Sequence, residues 1–86
     1  ELIPLCHNLL ISSVKIKIKL VKNDIYVLGT VKCDSKTGVE MEALTAVSVT
    51  CLTIYDMLKG LDKDASITNV QLLEKSGGKS GDWKRK

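Results

Sequence analysis

Asp56 and Lys59 stand three residues apart in "LTIYDMLK". On a helix that spacing puts a carboxylate and an ammonium on one face. Out in water they would form a surface ion pair of small worth. Set among the apolar residues that surround them, they would have displaced acidities and could pass protons to a substrate. Spacing alone leaves both readings open. Glu40 and Glu42, in "VEMEA", form a second acidic group. An extended backbone would aim both carboxylates to one side. At the start of a helix they would equally suit the positive end of its dipole. Glu42 and Asp56 lie 14 residues apart, about 20 Å along one helix. They cannot share a site within a single copy of that helix. Either a second subunit completes the site, or one of the two only binds substrate.

"LLEKSGGKSG", residues 72–81, contains Gly78-Lys79-Ser80, which looks like the end of a nucleotide-binding P-loop. The P-loop needs a glycine five positions before its second glycine, where this chain has Leu73. It also needs a following helix whose N-terminus faces the anion, and only Gly81-Asp82-Trp83-Lys84-Arg85-Lys86 follows. A hydrolytic P-loop is not expected. What remains is either a glycine-rich cradle for an anion, with Lys75 and Lys79, or a solvated basic tail. His7, beside Cys6 in "LIPLCH", is the sole histidine, with an unperturbed acidity near neutral pH. A structural hydrogen bond is the plainer use for it. An apolar neighbourhood raises a thiol's pKa, which argues against Cys6 as a nucleophile.

With 86 residues the chain makes one small domain, and its apolar share of 44% is that of a globular protein. A domain of this size buries only about 60% of its unfolded surface and is marginal unless it oligomerises. Thirteen basic and ten acidic residues give a net charge of +3, concentrated at the end. Residues 75–86 hold Lys75, Lys79, Lys84, Arg85 and Lys86 against Asp82, which points to an anionic partner there. Cys6, Cys33 and Cys51 are widely spaced and odd in number, so neither a disulfide framework nor a zinc site is expected. Reduced thiols suit a cytoplasmic protein. No signal peptide and no apolar run long enough to span a bilayer are expected, hence no membrane partner.

Residues 13–20, "SVKIKIKL", alternate strictly and predict a half-buried strand. Val14, Ile16, Ile18 and Leu20 share one face, and Lys15, Lys17 and Lys19 the other. The lysine row is either a solvated outer face or an anion-binding one. "KND" at 22–24 marks a turn, and residues 25–33 read as the second strand of a hairpin. After a polar break at 33–38, residues 39–59 run without a breaker. Their length favours a helix, though Val47, Val49, Thr50, Thr53 and Ile54 do not. Apolar positions cover most of its circumference, so it must be buried on more than one side, which one sheet in so short a chain cannot do. A subunit interface along the helix is expected. Gly60 falls near its C-cap, and residues 66–73, "SITNVQLL", are expected to form a third strand. The order strand, strand, helix, strand is a ferredoxin-like βαββαβ pattern without its first strand and helix. The expected fold class is α+β, an antiparallel sheet packed by a long buried helix. Residues 1–74 form the domain and 75–86 a basic glycine-rich tail. Opening on "ELIPLCH" without an initiator methionine, the chain is expected to be a piece of a longer protein.

In this order, "LIPLCH", "TGVEMEALTAVSV", "LTIYDMLK" and "LLEKSGGKSGD" resemble the MoaC family, the cyclic pyranopterin monophosphate synthases of molybdenum-cofactor biosynthesis. The resemblance covers nearly the whole chain. It implies a lyase that rearranges a cyclised dihydroguanosine triphosphate into a pyranopterin, closes a cyclic phosphate and releases pyrophosphate, with no metal or redox cofactor. It implies a ferredoxin-like fold, and a homo-oligomer, a hexamer built from dimers with sites at the dimer interface. Carried over by position, Asp56 is the catalytic aspartate and Lys59 its partner. Leu5, Cys6, His7, Glu40, Met41 and Glu42 bind substrate, and Lys75 and Lys79 hold phosphate oxygens. Asn8 stands where the family's "LCHP" has proline. The competing reading is a non-catalytic nucleic-acid-binding module of the same fold. Such sheets stack bases on aromatic side chains. This chain has no phenylalanine, and Tyr26 is the only aromatic residue on a predicted strand, so no nucleic-acid partner is expected.

Overall fold

The structure, a computed structural model, describes residues 11–33, 39–77 and 81–86. It is α+β: strands β1 (Ile11–Val21) and β2 (Asp24–Cys33), helix α1 (Glu40–Leu58), then two short strands, β3 (Glu74–Lys75) and β4 (Trp83–Lys84). β1 and β2 form an antiparallel hairpin, and β3 and β4 a second one. Lys22 begins the two-residue turn between β1 and β2 with φ 54°, the left-handed start that suits the twist of such hairpins.

Register sorts the faces as the alternation predicts. Val14 lies opposite Val31, Ile16 opposite Gly29, Ile18 opposite Val27 and Leu20 opposite Ile25, all on one face. The other face pairs Lys15 with Thr30, Lys17 with Leu28 and Lys19 with Tyr26. α1 packs on the apolar face, over β2. Gly29 permits the approach. A methyl group added there would lie 2.6 Å from Val47 Cγ2 and 3.3 Å from Ile16 Cδ1.

The helix forms despite its β-branched residues. Thr50 Oγ1 donates to the Ala46 carbonyl (2.8 Å) and Thr53 Oγ1 to that of Val49 (2.9 Å), the intrahelical bond that lets threonine sit mid-helix. Its end is not a left-handed glycine cap. The amides of Leu61 and Asp62 both reach back to the Leu58 carbonyl, at 2.8 and 3.0 Å. Positive φ among the described glycines is confined to Gly77 and Gly81.

Three expectations change. Residues 66–73 pair with no strand among the described residues. Asn69 interrupts them with φ 54°, a left-handed residue that an extended ladder does not accommodate. The helix is not buried: among its described residues only Glu42 and Ala46 are, and Leu52 and Met57 are 60% and 75% exposed. And α1 is in fact long and apolar enough to cross a membrane by length and composition alone. Its packing on β2 and its carboxylates Glu40, Glu42 and Asp56 fit the reading of a core helix whose cover is incomplete.

That incompleteness is measurable. The chain exposes 7084 Å², where a compact monomer of 9.4 kDa would expose about 5,000 Å². Its radius of gyration is 14.4 Å, against about 12 Å for a compact domain of this length. Ala46 is the one buried apolar residue among those described, while Val14, Ile18, Leu20, Ile25 and Leu28 of the hairpin all stand exposed.

Gly29→Ala should destabilise the protein by about 1–3 kcal/mol, because the β-branched Val47 cannot swing clear of the new methyl group. Urea denaturation of the two proteins checks this. An unchanged midpoint would show that α1 does not rest on β2 as described.

Candidate active site

α1 is a continuous helix of 19 residues. It carries candidate residues at both ends, so the distance between them is fixed by helical rise.

At the N-terminal end, Glu40 and Glu42 lie in the first turn, which has Val39 as N-cap and no side-chain cap. The unpaired amides of that turn favour the two carboxylates there. Met41, between them, points outward and is 49% exposed. Glu42 is fully buried. Lys75 comes to this end from β3, and its Nζ lies 3.7 Å from Glu40 Oε1. The other oxygen, Glu40 Oε2, is buried and has no hydrogen-bond partner among the described residues. Lys75 is only 22% exposed. An ion pair of 3.7 Å is too long for a hydrogen bond, so this ammonium keeps donors to offer an anionic ligand.

At the other end, Lys59 Nζ meets Asp56 Oδ1 at 2.7 Å. Lys59 is the C-cap residue, its amide donating to the Tyr55 carbonyl at 2.9 Å. The expected helical pairing is present. The apolar burial is not: the two side chains are 61% and 72% exposed within this chain.

The structure thus brings Glu40 and Lys75 together, with Met41 and Glu42 on the same turn of α1, and Asp56 and Lys59 together at the other end, more than about 20 Å away along the helix. Leu5, Cys6, His7 and Lys79 lie outside the described residues. The pairing of Glu40 with Lys75 has no signature in the spacing of 35 residues; only folding reveals it. Trp83, on β4, is a second strand aromatic that the sequence did not place, and the Arg85 guanidinium covers its ring at 5.3 Å. On the lysine face of the first hairpin Tyr26 remains the only aromatic residue, a poor platform for stacked bases. Among the described residues no group of three or more His, Cys, Asp or Glu side chains is placed to hold a metal ion.

Comparison with known proteins follows the same segments. Residues 1–78 match the MoaC family. The chain is 56% identical over 85 residues to the cyclic pyranopterin monophosphate synthase of Streptomyces avermitilis, covering 99% of this chain and 50% of that protein. It is 53% identical over 85 residues to the protein of the same name from Peptoclostridium acidaminophilum, covering 99% of this chain and 54% of that one. It is 59% identical over 81 residues to molybdenum cofactor biosynthesis protein 1 of Drosophila melanogaster, covering 92% of this chain and 14% of that protein. The chain therefore spans about half the length of the two bacterial relatives.

Because the Asp56–Lys59 pair is exposed within this chain, Asp56→Asn should change the folding stability of the 86-residue chain by no more than about 0.5 kcal/mol. Denaturation of the substituted chain measures this. A loss of several kcal/mol would mean that the carboxylate is not exposed within the chain as described.

Proposed function

The chain belongs to the MoaC family, and on that premise we propose that it is part of a cyclic pyranopterin monophosphate synthase, a lyase of molybdenum-cofactor biosynthesis. Its substrate is a cyclised dihydroguanosine triphosphate, rearranged to the pyranopterin monophosphate with loss of pyrophosphate. The observation that carries this reading is the match to the family over residues 1–78. The acidic and basic candidates lie within it, save Lys79, one residue beyond.

The roles follow from charge and position. Lys75 and Lys79 take the triphosphate oxygens and offset the charge that gathers on the departing pyrophosphate. The loose contact of Lys75 with Glu40 supports this, since a phosphate oxygen would outcompete a carboxylate held at 3.7 Å. Glu40, Met41 and Glu42 bind the rest of the substrate with Leu5, Cys6 and His7. Asp56 and Lys59 move protons during ring opening and closure: the carboxylate takes one, and the ammonium beside it gives one up.

The proposed architecture is a fragment of a ferredoxin-like domain assembled as a homo-oligomer, a hexamer built from dimers, with sites at the dimer interface. Two features support it. The exposed apolar residues of the hairpin and of α1 need cover, which a second copy can supply. The two groups on α1 are too far apart to act on one atom unless another copy brings a second helix to the site.

In the full-length protein, Asp56→Asn should leave the assembly intact and lower kcat by about 100- to 10,000-fold. The assay is anaerobic incubation with the cyclised triphosphate, following pyrophosphate and pyranopterin together. Near-normal turnover would remove Asp56 from the mechanism. Failure of the unsubstituted protein to form either product would remove the proposed activity.

A further inference from the structure

The proposed chemistry uses Lys75 but says nothing of what holds it. β3 and β4 form a ladder of only two residue pairs, Glu74 with Lys84 and Lys75 with Trp83. A hairpin so short is marginal in water. Arg85, the next residue, adds what the ladder lacks. Its amide donates to the Leu73 carbonyl at 2.6 Å. Its Nε donates to the carbonyl of Leu72 at 2.7 Å. The same guanidinium lies 5.3 Å from the centre of the Trp83 ring. One residue thus grips two successive carbonyls just ahead of β3 and stacks on the residue opposite Lys75. On the far side of the ladder Asp82 Oδ1 accepts from the Gly77 amide at 3.3 Å, so the strand bearing Lys75 is held from both directions.

We propose that Arg85 is a positioning residue for Lys75, fastening the strand that carries it so that its ammonium stands beside Glu40 where a phosphate oxygen would meet it. The inference rests on the reading of Lys75 as a phosphate ligand. Arginine suits the task because a planar guanidinium donates in its plane while its face lies on an aromatic ring. Lysine, a point charge on a flexible stem, does not do both. Arg85 contributes through Lys75, its own charge being engaged by a carbonyl and a ring.

The test uses the full-length protein, with inorganic triphosphate as the probe. Binding is read by calorimetry for Arg85→Ala, Arg85→Lys, Lys75→Ala and the Arg85→Ala/Lys75→Ala double variant, and the acylation rate of Lys75 by mass spectrometry without ligand. Arg85→Ala should weaken triphosphate binding about five- to tenfold and raise the Lys75 acylation rate, with little change in thermal midpoint. Arg85→Lys should not restore binding. On the Lys75→Ala background the loss of Arg85 should cost less than about twofold, since the two act as a unit. Unchanged binding in Arg85→Ala, rescue by lysine, or an equal loss on both backgrounds would overturn the inference. Absence of triphosphate binding by the unsubstituted protein would overturn the phosphate reading alone. The positioning role would then stand on a raised Lys75 acylation rate in Arg85→Ala and fall on an unchanged one.

Discussion

The rest of the structure depends on a single mismatch, a helix that is apolar on nearly every side and a chain that covers only one of them. α1 has β2 beneath it and little else among the described residues. Burial of apolar surface is the main force that offsets the entropy of folding, and Ala46 is the only apolar residue described here that achieves it fully. A chain in this state is completed by something outside itself. The proposed dimer supplies that cover with a second copy, and would bring a second set of candidate residues to the uncovered faces.

Helical rise gives the mismatch its chemical consequence. Gly29 lets α1 settle close on β2, and the helix then works as a ruler, with an acidic group and a lysine at one end and an ion pair at the other. The N-terminal end draws carboxylates by its dipole and gains Lys75 from the second hairpin. The C-terminal pair is exposed within the chain, and it acquires an enclosed site only if another surface closes over it. Interface and active site are, on this account, the same place.

Much of this was legible in the sequence. Alternation in "SVKIKIKL" gives the hairpin and both of its faces, because a strand's side chains have a period of two and leave no ambiguity of side. The three-residue spacing of Asp56 and Lys59 gives their contact. Length outweighed propensity in "VEMEALTAVSVTCLTIYDML", and the threonine back-bonds show how. The apolar content of residues 66–73 suits a strand, but a strand needs a partner and a backbone free of left-handed residues such as Asn69. The composition of α1 states what the helix requires and not what this chain provides. The meeting of Glu40 with Lys75, and the hold of Arg85 on Leu72 and Leu73, arise from long-range folding and leave no local pattern to read.

The central claim is that residues from two copies of α1 serve one site, and subunit complementation tests it most directly. Full-length Asp56→Asn and Glu40→Gln proteins, each inactive alone, would be mixed in equal amounts, dissociated, reassembled and assayed for pyrophosphate release. If each site draws Asp56 from one protomer and Glu40 from its partner, half the dimers are mixed and each has one intact site of two, so activity should recover to about a quarter of the unsubstituted level. No recovery, with mixed dimers confirmed by native mass spectrometry, would contradict the account.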